Sequence, residues 1–145
     1  MDDINQMRRL VNQAKREECR ASNDMYIHEN QANHEQSQLE TCLTYKEECL
    51  NGLNTAKDSG LSIVQIRECQ LLVQYIDSVV ETRQYKADIS HENYEETKAV
   101  WQEKQDSLEN LKQALKKLEA EYGEQMIDDI KPVHDRTYRV YDGRK

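Results

Sequence analysis

A seven-residue repeat in the second half of the chain constrains its fold more than any other feature. One position of that repeat reads Ile66, Val73, Val80, Ala87, Tyr94, Trp101, Leu108, Leu115 and Tyr122, with no charged or amide residue among them. Seven residues is close to two turns of an α-helix, so these side chains form a row along one side, and a row of that kind has to be covered by another helix. The companion position reads Cys69, Ile76, Arg83, Ser90, Thr97, Lys104, Leu111, Leu118 and Gln125, apolar towards both ends and polar in the middle. In the first half, alternate steps of three and four from Ile4 collect Met7, Val11, Ala14, Ala21, Met25, Ala32, Leu39, Cys42, Cys49 and Leu53, interrupted by Glu18, His28, Glu35 and Lys46. Both halves therefore carry the period of a coiled-coil seam.

Composition suits a core only two helices wide. Charged residues are 33% of the 145 and mean hydropathy is -1.02, too polar for a thick core. A single Pro, four Gly and regularly spaced hydrophobes are equally unlike a disordered chain.

The punctuation between the halves is GLNTAKDSGLS at 52–62. Gly52 and Gly60 flank small and polar residues that favour a helix end and a turn. Ser62 and Gln65 form the S-x-x-Q pattern of a capping box, and Leu61 with Ile66 has the spacing of a hydrophobic staple. These signals predict helix one over about 3–54, a turn near 54–61 and helix two over about 62–130. Pro132 marks a stop, leaving a single hairpin over 1–131 and a flexible tail at 132–145. The fold class is all-α, two long helices in an antiparallel coiled-coil hairpin. Folding about residue 60 places residue i opposite about 120 minus i, to within one turn; Val11 is expected near Leu108 and Leu111, and Ala21 near Trp101.

Several function classes are disfavoured. A net charge of -8 argues against nucleic acid as a partner, since phosphate binding needs clustered cations. No apolar run approaches the ~18 residues of a membrane span, and MDDINQMRRL lacks the apolar core of a signal peptide, so a cytosolic location is expected. The four histidines are scattered without ligand spacing, and no phosphate-binding glycine loop or nucleophile elbow is present. No catalytic residue, cofactor or metal is expected. Cys19, Cys42, Cys49 and Cys69 are too widely spaced for a CxxC motif and read as small hydrophobes at or near packed positions, with zinc binding or a disulfide as the alternatives.

Near the turn there are more apolar residues than one seam uses. Leu39, Leu43, Leu50 and Leu53 make a stripe, and Cys42, Tyr45 and Cys49 make a second beside it. On helix two, Ile66, Val73 and Val80 make the seam while Leu72, Ile76 and Val79 spill to one side. The surplus is either an exposed partner site or a seam that shifts register at Lys46.

The segments QLETCLTYKEECLNGLN at 38–54, Gly60 and Leu61 at the bend, the run from Gln70 to Ile76, and VWQEKQDSLENLKQ at 100–113 together resemble the FliJ family of the flagellar type III export apparatus. The likeness spans about residues 5–130. It implies a non-catalytic stalk, similar to those of virulence type III systems and to the central stalk of rotary ATPases. The implied partners are a hexameric export ATPase (FliI-like), the export gate protein FlhA and export chaperones, with the chain peripheral to the inner membrane through them.

The family's gate-binding patch carries over onto Gln38, Cys42, Tyr45, Cys49, Leu72, Ile76, Val79 and Arg83. Gln38 and Tyr45 match, and Leu72, Ile76 and Val79 keep apolar character, whereas Cys42, Cys49 and Arg83 depart from the usual bulky apolar, aromatic and imidazole groups. The ATPase-facing tip falls on Arg8, Arg9, Lys15, Arg16, Lys112, Lys116 and Lys117. Solvated helix faces are the plain alternative for these cations. The other functional readings are the equivalent virulence-system subunit, a chaperone for exported proteins, and a purely structural coiled coil.

Overall fold

A computed structural model describes the backbone of residues 2–143 and the side chains of residues 2–125. Helix α1 runs Asp2–Asp58 and helix α2 runs Ile63–Gly143, joined by a short turn and packed together as the antiparallel hairpin the repeats predict. The helical backbone of α2 continues past Pro132, where a stop was expected. An interior proline removes one hydrogen bond and bends a helix without always ending it. The tail expected at 132–145 lies outside the residues whose side chains are described.

The turn is built by local chemistry. Helix α1 extends to Asp58, beyond the end expected near residue 54, and Gly52 lies inside it. The break comes at Gly60, whose φ of 86° lies in the left-handed region that glycine enters without steric penalty. Ser59 N–H donates to the Thr55 and Ala56 carbonyls at 3.2 and 3.1 Å, and Gly60 N–H to the Lys57 carbonyl at 3.2 Å, so these three carbonyls at the end of α1 are satisfied. The capping box then forms reciprocally. Gln65 N–H donates to Ser62 Oγ at 3.2 Å, and Ser62 N–H donates to Gln65 Oε1 at 3.0 Å.

The two glycines should respond oppositely to the same substitution, since a Cβ at either meets nothing within 4 Å and only backbone preference remains. Gly52→Ala should stabilise by about 0.5–1 kcal/mol by improving helix propensity. Gly60→Ala should destabilise by about 1 kcal/mol because it forces a side chain into the left-handed region. Denaturant unfolding of the two variants checks the opposite signs.

The chain divides into two compact units, Met1–Arg20 with Trp101–Lys145, and Ala21–Val100. In the first, the terminal unit, Val11, Ala14 and Leu108 form the buried cluster, with Leu111 and Leu115 packed against it. Val11 thus meets the residues that folding about residue 60 predicts. In the second, the loop unit, Met25, Leu39 and Leu53 are buried on α1, and Ile76 and Ala87 on α2.

Polar residues that interrupt the seam are matched across it. In the terminal unit, Trp101 Nε1 donates to Glu18 at 2.9 Å and Lys104 pairs with Glu17 at 3.4 Å. In the loop unit, Arg83 faces Glu35 at 3.9 Å and Lys46 pairs with Asp77. Each pair lies within about one turn of the expected register. Apolar knobs tolerate slippage, but an ion pair or an indole hydrogen bond is satisfied in one register only, so these contacts select the alignment at little gain in stability.

Candidate functional site

Within the loop unit the eight gate-patch candidates divide into buried and accessible groups. Ile76 is only 4% exposed, so it belongs to the core and is not part of a free surface. Gln38, Cys42 and Cys49 are half-buried, continuing the α1 seam between Leu39 and Leu53. The assignment of the two stripes near the turn is therefore partly reversed. The cysteines line the seam, while Leu43, at 43% exposure, stands outside it. Arg83 is half-buried and directed at Glu35, whose Oε2 is buried with no hydrogen-bond partner. Its guanidinium is thereby committed to balancing that carboxylate rather than projecting freely.

The accessible candidates are Tyr45 and Leu72, at 53% and 46% exposure, with half-buried Val79. A shallow hollow in the same unit is lined by Cys49, Gly52, Leu53, Ala56, Cys69, Leu72 and Val73, and so brings candidates of both helices, Cys49 and Leu72, to one place. The Tyr45 phenol is held above its ordinary value, chiefly by a side-chain hydrogen bond with Cys49 one turn along α1 and by that thiol's charge when ionised. Tyr45 therefore stays neutral through the physiological range and offers a ring with a polar tip, the kind of residue that anchors protein interfaces.

The seven tip candidates lie in the terminal unit, and all are exposed. Arg8 differs from the rest because its guanidinium pairs with Glu119 at 3.3 Å, about two turns from the position opposite it in the expected register. A second hollow, lined by Ile4, Asn5, Arg8, Glu119 and Tyr122, forms around that pair. Among the described residues, no ion pair involves Arg9, Lys15, Arg16, Lys112, Lys116 or Lys117. Free cations on an acidic chain are suited to an acidic face on a partner.

Among the described residues no cluster of His, Cys, Asp or Glu could hold a metal ion, and no helix is long and apolar enough to cross a membrane. All four cysteines are unpaired; Cys19 is exposed, and Cys42, Cys49 and Cys69 are half-buried as their periodicity suggests.

Fold and surface together define a two-helix hairpin of the coiled-coil type. The family model for the flagellar FliJ protein matches residues 3–129, and the chain belongs to that family. Its members are non-catalytic components of flagellar type III protein export. Comparison with the curated proteins and with the solved structures gives no match.

Proposed function

We propose that this protein is a stalk-like adaptor of the flagellar export apparatus, binding the export ATPase ring through its terminal unit and the export gate through its loop unit. The observation that carries this reading is that the two candidate sets fall in different units of the chain. The exposed cations Arg9, Lys15, Arg16, Lys112, Lys116 and Lys117 belong to one unit, and Tyr45 and Leu72 belong to the other. A cationic surface gives long-range steering and salt-sensitive binding, while an exposed aromatic beside aliphatic groups gives a short-range desolvated contact. Such surfaces can engage different partners without competing. In this reading the protein works in the cytoplasm and reaches the inner membrane only through its partners.

Titration of the purified chain into its cognate export ATPase provides the test. The proposal expects saturable binding that weakens as salt rises, together with stimulation of ATP hydrolysis through ring assembly. An ATPase that neither binds the chain nor responds to it would refute the proposal.

A further inference from the structure

Helix α2 carries a second seven-residue repeat on the face opposite its seam with α1. Val64, Leu71, Tyr75, Tyr85 and Ile89 are all exposed, with Tyr75 at 68%, and with Glu68, Ser78 and Thr82 they complete an unbroken alternation of three- and four-residue steps. Helical geometry puts these eight residues on one stripe, turned away from Ile66, Val73 and Val80. After Ile89 the same positions read Glu92, Glu96, Ala99, Glu103 and Asp106, so the stripe is bounded. A coiled-coil seam of this length left in water is the mark of a partner helix.

We propose that this face pairs with the same face of a second copy of the chain, the two α2 helices running antiparallel about a two-fold axis between residues 76 and 77. The reason is self-complementarity. In an antiparallel pair each layer joins the two different repeat positions, and here that places Tyr75 of one copy against Ser78 of the other, and Leu71 against Thr82. Val64 then meets Ile89, and Glu68 meets Tyr85, whose hydroxyl can donate to the carboxylate. Large residues face small ones in the central layers, as packing requires. Thr82 already turns its hydroxyl to the Ser78 carbonyl at 3.1 Å, leaving its methyl for the interface.

The flanking positions agree with the same register. On one side Arg67 of one copy lies beside Asp88 of the other, with Gln74 beside Glu81; on the opposite side Leu72 lies beside Val79, so self-pairing and the proposed gate contact compete for these two residues. Asp88 now accepts from Gln84 at 2.9 Å within its own helix, which leaves its second oxygen for Arg67. A parallel pairing would instead stack Glu68 on Glu68 in the seam, like charges in a desolvated layer.

Sedimentation of the full chain over a micromolar to millimolar series tests this, with four samples: wild type, Tyr75→Glu, Arg67→Asp and Asp88→Arg. The expected result is a concentration-dependent dimer. Tyr75→Glu should weaken it at least about a hundredfold, because Tyr75 occupies both central layers. Each charge reversal should weaken it about tenfold through two symmetry-related repulsions. Mixing the Arg67→Asp and Asp88→Arg chains should restore association as a heterodimer, since opposite charges then meet at both ends. Circular dichroism of each variant should match wild type, because all three substituted positions are exposed.

A wild-type chain that remains monomeric throughout would overturn the proposal. So would a dimer indifferent to Tyr75→Glu, or charge variants that fail to recombine. If Tyr75→Glu abolishes binding to another protein while wild type stays monomeric, the stripe belongs to that protein and the self-pairing is wrong.

Discussion

Leu108→Asp should dismantle the terminal unit, lowering the midpoint of thermal unfolding by about 10 °C or more. Leu108 is 8% exposed and belongs to the buried cluster with Val11 and Ala14. Removing its side chain forfeits about 2–4 kcal/mol of burial and packing, and the new carboxylate would be set against the apolar side chains of Val11, Ala14, Leu111 and Leu115. A globular core redistributes such a loss over many residues. A seam two helices wide has no second layer, and a domain's whole stability is only about 5–15 kcal/mol. Far-ultraviolet circular dichroism against temperature checks the midpoint. Trp101 fluorescence reports on the same unit, because the indole hydrogen bond to Glu18 depends on the helices staying paired there.

The second large effect concerns binding. Reversing charge at Arg9, Arg16 and Lys116 together should weaken association with the export ATPase about a hundredfold at low salt, with helix content unchanged. All three are exposed, and none is in an ion pair among the described residues. The substitutions therefore break no ion pair among the described residues while replacing three exposed cations with anions. Arg8 makes a useful contrast, since Arg8→Glu would also break its pair with Glu119 and so mix stability with binding. A titration by calorimetry at two ionic strengths separates these cases. The triple variant should lose most of the salt sensitivity along with the affinity, and its affinity for the gate protein should not change.

Much of the architecture is legible from residue spacing. The uninterrupted row from Ile66 to Tyr122 demands a covering helix, and the Ser62–Gln65 pair announces the start of α2, because a capping box uses only neighbours in sequence. The end of α1 is less legible. Gly52 and Gly60 look alike as letters, yet only Gly60 adopts a positive φ. An isolated helical glycine costs about 1 kcal/mol, which packing can outweigh.

The candidate site was harder to read for a related reason. Near the turn two apolar stripes lie side by side, and which of them faces the other helix is decided by packing rather than by hydrophobicity. Ile76 therefore sits in the core although it reads as surplus, and Cys42 and Cys49 sit in the seam although bulkier Leu43 does not. The Arg83–Glu35 and Lys46–Asp77 pairs carry a usable signal. Folding the sequence about residue 60 sets opposite charges near one another at just these positions. The outer stripe of α2 was equally present in the spacing, but becomes recognisable only once the inner seam has been assigned to other residues.

Two separable surfaces on one hairpin are the centre of this account, and Tyr45→Ala tests them most directly. Tyr45 is exposed and lies outside the buried core, so the variant should keep the wild-type helix content and melting behaviour. In parallel pull-downs against the export ATPase and the export gate, it should lose gate binding and retain ATPase binding. Undiminished gate binding, or loss of both partners together in a normally folded variant, would contradict the account.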